Sequence, residues 1–409
     1  MAEATLLAVG DLHLGKPIAS LPEALRDRSR RLGPFGALES IVRLAREERV
    51  DAVLLAGDVV DDDTAYFEVL GPLSAAADTL AGIPMIAVAG NHDAHVLPRL
   101  ADAIPGLHLL GRNGAWERRE VGRGVEILGW SFPDTHVNHS PMAGVPPRGN
   151  VLRIGLLHAD VGGHASRYAP VPPAELDAAP ADAWLLGHIH QPDLDGLARA
   201  RPVGYLGGAC GLDPSEHGPL GAWTLRCGAR VAAEHAPIAP LAWLHRSLDC
   251  TELDPDDLSR AIHQDAADAV AVVPNAEAVG LRITLVGRSA WWRAFADAAG
   301  AQSLGEPWRA GSAEVFLDRV RCRVRPAVDV EALAGEPSVA GGLASLLGDI
   351  RSGAAADLER SAADALAALH QRIAPDAPRP EARAALEAAA EDLLAELVGQ
   401  HDGPHGHAD

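Results

Sequence analysis

Ala183-Trp184-Leu185-Leu186-Gly187-His188-Ile189-His190 is the stretch whose reading decides the fold. Its four apolar residues read as a strand buried on both faces. Gly187 lets the chain turn closely, and His188 and His190, two apart, face one cavity in the loop beyond. A lone H-x-H pair is common in any protein and implies little. Here the same arrangement recurs upstream: Gly10-Asp11-Leu12-His13 follows a strand at 5–9, Gly57-Asp58 one at 51–56, Gly90-Asn91-His92-Asp93 one at 84–89, and His158 one at 151–157. Five ligand-rich turns, each at the end of a hydrophobic run, read as one metal site.

Working outward, residues 34–48 carry Leu38, Ile41, Val42, Leu44 and Ala45 at helical spacing, and 64–80 reads as a second helix. The order β-α-β-α-β implies parallel strands joined by right-handed crossovers, with ligands gathering beyond their carboxyl ends. Asp11 and His13, read as alternate positions of an extended segment, face the same way. Residues 106–132 change to short strands at 107–110 and 125–130, followed by a Pro/His/Asn-rich loop to 150. A strand at 203–206 and a hairpin at 221–227 and 229–235 continue the β character. The expectation is an α/β fold: a two-sheet β core with helices outside, more antiparallel in its second half.

After Pro240 an α+β piece begins, with strands at 243–250, 280–286 and 313–324 and helices at 254–267 and 290–299. Asp254 is the expected N-cap before Pro255, and Trp291-Trp292 read as packing residues. Residues 339–397 are Ala/Leu/Glu-rich, interrupted by Pro375, Pro378 and Pro380. Leu343, Leu346, Leu347 and Ile350 form an apolar stripe, as do Leu358, Ala362, Leu366 and Leu369, and Leu386, Leu393, Leu394 and Leu397. The His401, His405 and His407 tail reads as a disordered end. The expected domains are 1–238, 239–336, a helical segment 337–400 and a tail 401–409.

At 409 residues, 48% hydrophobic and 22% charged, the chain exceeds one ordinary domain. No apolar run approaches the roughly 18–20 residues of a membrane helix, and the N-terminus lacks a secretory pattern, so a cytoplasmic protein without membrane attachment is expected. Cys210, Cys227, Cys250 and Cys322 are scattered without CxxC spacing and read as reduced thiols. A net charge of −21 argues against broad, unaided binding to nucleic-acid backbone. Arg112, Arg118, Arg119 and Arg123 are either phosphate contacts or a solvated charged face. Lys16 is the one lysine.

Asp11, His13, Asp58, Asn91, His158, His188 and His190 offer carboxylate, imidazole and amide donors, which suit Mn²⁺, Fe²⁺ or Zn²⁺ rather than Ca²⁺. Seven ligands exceed one tetrahedral ion and fit two ions about 3.5–4 Å apart, a spacing that supports in-line phosphoryl displacement. Asp58, from the central strand, is the expected bridge. His92 is the expected general acid, with Asp93 orienting its ring.

These five blocks resemble the calcineurin-like metallophosphoesterases, which implies a four-layer α-β-β-α sandwich with two metals at the strand ends. Asp11-Leu-His-Leu-Gly15, Gly90-Asn-His-Asp93 and Gly187-His-Ile-His-Gln-Pro192 are similar to the SbcD-type DNA repair exonucleases. Tyr168-Ala-Pro170 and Ala183-Trp-Leu-Leu-Gly-His188 are most similar to their shorter YhaO-like branch. The resemblance covers residues 4–236, then a small cap domain at 240–335 more weakly. It implies that Asp11, His13, Asp58 and His190 hold one ion, that Asp58, Asn91, His158 and His188 hold the other, and that His92 is catalytic. It further implies Mn²⁺, a DNA substrate, and a coiled-coil ATPase partner of the SbcC type docking on the C-terminal helices, and it leaves a homodimer open. Asp61 departs from the family pattern, where some relatives carry histidine. The turn Tyr205-Leu-Gly-Gly-Ala-Cys-Gly211 departs where relatives have a serine. A small-molecule phosphodiesterase or phosphatase of the same superfamily is the competing expectation.

Overall fold

The strands β1 (Ala4–Val9), β2 (Ala52–Ala56) and β3 (Met85–Val88) lack polar alternation because both of their faces are covered. Leu6, Ala8, Leu54, Ala56, Ile86 and Val88 belong to one apolar cluster, and their alternates Leu7, Val9, Val53, Leu55, Met85 and Ala87 to another. The second cluster includes Phe35, Leu38 and Ile41 of helix α1 (Pro34–Glu47) and Val69 and Leu73 of helix α2 (Tyr66–Leu80). Pro34 at the first turn of α1 costs no hydrogen bond there. The structure is a computed structural model and describes residues 4–122, 124–163, 165–194, 201–301, 306–373 and 381–401. Arg123, the three prolines between 375 and 380, and His405 and His407 lie outside the described residues.

The remaining strands of the sandwich are β4 (Leu107–Leu109), β5 (Glu117–Val121), β6 (Val125–Trp130), β7 (Leu152–His158), β8 (Ala183–Gly187), β9 (Val203–Tyr205), β10 (Ala222–Cys227) and β11 (Val231–Ala236). One sheet has the order β11-β10-β1-β2-β3-β4 and the other β9-β8-β7-β6-β5. β1 to β4 are mutually parallel, and so are β6, β7, β8 and β9; the pairs β1–β10, β10–β11 and β5–β6 are antiparallel. The second half is therefore mixed, with its antiparallel strands at the sheet margins. The cluster between the sheets joins Leu6, Leu54 and Ile86 to Ile127, Ile154, Leu156 and Leu185. Beyond the second sheet, Trp130, Leu157, Trp184 and Leu186 are covered by Leu176 of a six-residue helix (Pro173–Ala178) and by Val137 and Met142 of the long loop. The order of layers is α-β-β-α, with a thin second helical layer.

By compactness the chain falls into two units. The first holds residues 1–246, 263–282 and 304–319, the second 247–262, 283–303 and 320–409, so neither 238 nor 336 is a break between compact units. Asp254 accepts the Asp256 backbone N–H at 2.9 Å, as an N-cap should. Trp291 is 58% exposed, which corrects its reading as a packing residue. In the second unit three helices follow Ser338: α3 (Val339–Ser352), α4 (Ala356–Ile373) and α5 (Ala382–His401). Leu347 and Ile350 of α3 pack with Ala390 and Leu394 of α5, and Arg351 donates to Glu391 at 2.6 Å. None of residues 356–370 of α4 is buried; Leu358 is 38% and Leu369 51% exposed. No described helix is long and apolar enough to cross a membrane.

Candidate metal centre

Since β1, β2 and β3 run parallel, as do β7 and β8, the turns that follow them meet at one edge of the sandwich. There the two sheets approach closely. A Cβ on Gly90 would stand 2.2 Å from Asp58 Oδ1, and one on Gly187 would stand 2.0 Å from the Ala56 carbonyl oxygen, so neither position has room for a side chain. Asp11, His13, Asp58 and His188 all have positive φ, at 37°, 48°, 49° and 104°. The segment 11–13 is thus not extended, contrary to its sequence reading. Such conformations cost about 1–3 kcal/mol each and persist where their surroundings impose them. Here the His13 N–H donates to the Asp58 carbonyl at 2.9 Å, and the His188 N–H donates to Asp11 Oδ1 at 2.9 Å.

The donors converge in two groups that share Asp11, and a third group joins His13 to Asp61 and His92. His13 Nε2 lies 3.1 Å from His190 Nε2, and Asp11, His13 and His190 place their ligand atoms within 4.8 Å of one another. His158 Nε2 lies 3.1 Å from Asn91 Oδ1 and 3.4 Å from Asp58 Oδ2, and Asp11, Asp58 and His158 form a second such group. Asp58 also lies 3.8 Å from His13 Nε2, between the groups, and the His188 ring packs on that of His158 with centroids 5.3 Å apart. All seven predicted ligands are in this cluster.

The chemistry of these donors fits a cation. His13 Nδ1 is 3.1 Å from Asp61 Oδ1, His190 Nδ1 is 2.7 Å from Glu216 Oε1, and His158 Nδ1 is 3.1 Å from the Ala56 carbonyl oxygen. An acceptor at Nδ1 fixes the proton there, so each Nε2 turns a lone pair toward the cluster. With Nδ1 so engaged, the Nε2 atoms of His13 and His190, 3.1 Å apart, and that of His158 beside an amide oxygen and a carboxylate are placed as donors to a cation. Burial pushes the Asp11 carboxyl up to about 8, with the Asp58 charge adding to the rise, and burial brings His158 down to about 4. For Asp58, burial is outweighed by the imidazoles of His158, His13 and His92, which hold it below the usual carboxylate range. For His190, burial is outweighed by Glu216 and Asp11, which raise it.

His92 is set apart, with its side chain 43% exposed. Its Nδ1 is 2.8 Å from the Asp61 carbonyl oxygen, and its backbone N–H donates to Asp58 Oδ1 at 2.9 Å. Asp93 does not orient that ring, which corrects the sequence reading. Its buried carboxylate accepts the N–H groups of Gly90 and Val59, each at 2.7 Å, and of Val60 at 3.3 Å, and so ties the third turn to the second. Glu216 and the role of Asp61 behind His13 were not legible beforehand. Glu216 stands in a loop with no motif spacing, 26 residues beyond the histidine it touches. Arg112 and Arg118 face carboxylates, Asp102 at 2.8 Å and Glu126 at 3.7 Å, and Arg119 lies 3.2 Å from His108 Nε2. They do not form a free phosphate-binding face.

Residues 4–192 match the family model of the calcineurin-like phosphoesterases. Among curated proteins, the chain is 25% identical over 267 residues to the uncharacterised metallophosphoesterase YhaO of Bacillus subtilis, covering 62% of this chain and 64% of that one. It is 28% identical over 159 residues to the SbcD component of the SbcCD nuclease of the same organism, covering 37% of this chain and 33% of that one. The matches thus span less than two thirds of either relative. Similar solved structures include a dimetal phosphatase from Danio rerio (13% identity, 56% of this chain and 98% of that one, TM-score 0.37) and the calcineurin-like phosphoesterase YfkN from Bacillus subtilis (12%, 66% and 99%, TM-score 0.35).

Proposed function

We propose that this protein is a phosphodiesterase that cleaves DNA with a pair of divalent ions, Mn²⁺ foremost, as the nuclease component of a complex with an SbcC-like coiled-coil ATPase. The observation that carries the phosphodiesterase reading is the convergence of seven donors from five strand ends on two adjacent points, with three Nε2 lone pairs turned inward. Asp11, His13, Asp58 and His190 would hold one ion, and Asp58, Asn91, His158 and His188 the other. Two such ions, when bound, supply an activated water and a clamp on both ends of an in-line displacement. Asp58 contributes by keeping its charge between the two groups. His92, with its Nδ1–H engaged by a backbone carbonyl, would act as an imidazolium, giving its Nε2 proton to the leaving oxygen and returning to the neutral ring. Support for DNA as substrate comes from the likeness to the SbcD component of the SbcCD nuclease and from the motif blocks shared with that family.

The test compares purified protein with Mn²⁺ and with EDTA, on end-labelled linear DNA and on a chromogenic phosphodiester side by side. Metal-dependent shortening of the DNA is expected. Hydrolysis of the chromogenic ester with DNA left intact would favour the small-molecule reading instead.

A further inference from the structure

Beside the metal centre lies a cavity of about 540 Å³ whose lining includes Lys16, Arg26 and Arg30, against the single carboxylate of Glu68. It is joined to the centre through one side chain: Asp61 Oδ1 is 3.1 Å from His13 Nδ1 and 3.6 Å from Lys16 Nζ. The lysine backbone is fixed, its N–H donating to the His13 carbonyl at 3.0 Å, so Lys16 stands one tight turn from a ligand. The cavity is electropositive on balance. Arg30 is matched by Glu68 at 3.3 Å and lies 3.8 Å over the Phe35 ring, whereas Asp61 is shared between Lys16 and His13, and Arg26 makes no salt bridge among the described residues. In a chain of net charge −21, cationic surplus next to a cation-binding site requires a reason. The lining also includes Ile18 and Phe35, which belong to the edge of the apolar core.

We infer that this cavity is a subsite for a second phosphate of the substrate, the one next to the ester that is cut. Lys16 and Arg26 hold that phosphate. A lysine suits the position because its ammonium, on a flexible stem, can turn from Asp61 to a phosphate without leaving either uncompensated. The inference rests on the phosphodiesterase reading above and narrows it: the centre selects esters embedded in a polyphosphate strand over esters with one phosphate.

The test is equilibrium binding to the full-length His92→Ala protein in Mn²⁺, comparing fluorescently labelled thymidine dinucleotide with both ends phosphorylated against the dinucleotide carrying only its internal phosphate. The end-phosphorylated ligand is expected to bind about tenfold tighter. Lys16→Met should bring that ratio close to one, Lys16→Arg should keep most of it, and Arg26→Met should lower it partly. With Lys16→Met, the slope of log K against log salt for the end-phosphorylated ligand should fall by about 0.7. The metal content of each variant, measured alongside, should stay at two ions. If Lys16→Met keeps the ratio, weakens both ligands alike or loses an ion, the subsite does not exist and Lys16 merely buttresses Asp61. If unmutated protein hydrolyses neither ligand yet shows the Lys16-dependent ratio, the subsite stands and the hydrolytic reading falls.

Discussion

His92 is the one histidine of the cluster whose side chain is substantially exposed; its Nδ1 hydrogen-bonds a backbone carbonyl, while its ring stands edge-on to that of His13 with centroids 5.0 Å apart. His92→Ala should therefore keep both metals and lower kcat on a phosphodiester about 10²–10⁴-fold, the usual range for a general acid or base. Metal analysis and turnover on the same preparation check this, and loss of an ion would make His92 a ligand. Glu216 acts one step further back. By accepting from His190 Nδ1 at 2.7 Å it fixes the tautomer that offers Nε2 to an ion. Glu216→Gln should weaken binding of one ion about 10–100-fold while leaving the other site intact. A metal titration that still shows two equally tight sites would reduce Glu216 to holding the Leu212 N–H, its other contact at 2.8 Å.

At the level of elements, β6 and β7 are clasped by a charge pair inside an otherwise apolar sheet. Glu126 lies opposite Arg153 in the register, and the fully buried guanidinium donates to it at 2.6 Å and to the carbonyls of Pro146 and Pro147 at 2.8 and 3.0 Å. Arg153→Ala leaves Glu126 buried and without its main partner, and should cost about 3–5 kcal/mol in urea unfolding. Arg153→Met with Glu126→Met should recover most of that loss. Helix α4 presents the opposite situation. Of its stripe, Leu358 and Leu369 are exposed and Ala362 and Leu366 half-buried, while Leu347 and Ile350 of α3 are buried with Leu394 of α5. Leu358→Glu with Leu369→Glu should change stability by no more than about 0.5 kcal/mol per site. If the SbcC-like ATPase of the proposed function docks on this stripe, co-purification with it should be lost. Unimpaired capture would place docking elsewhere.

For the whole molecule, −21 of net charge opposes association with any polyanion. The metal-free protein should bind DNA no more tightly than the micromolar range at physiological salt, the level of non-specific contact, and still more weakly as salt rises. Fluorescence anisotropy in EDTA measures this directly. Nanomolar affinity under those conditions would require a basic surface that the charge balance gives no reason to expect.

What the sequence alone determined was local. A strand buried on both faces must be apolar throughout, and a close turn after it needs glycine, so β1, β2, β3, β7 and β8 were readable with their ligands attached. Donor type also follows from residue type, which is why the seven donors that the structure brings into one cluster could be named in advance. The tertiary structure alone decided what depends on contacts between distant segments. Asp93 was expected beside the ring next to it in sequence, but its carboxylate satisfies backbone N–H groups of another turn. Asp11 and His13 were expected in an extended segment, but hydrogen bonds from the neighbouring turn hold them at positive φ. Glu216, Asp61 and Arg153 carry no periodicity or spacing, because a group that supports a ligand or pairs across a sheet is chosen by proximity in space. The three C-terminal stripes look alike as sequence, and only packing shows that Leu347, Ile350 and Leu394 are buried whereas no residue of the α4 stripe is.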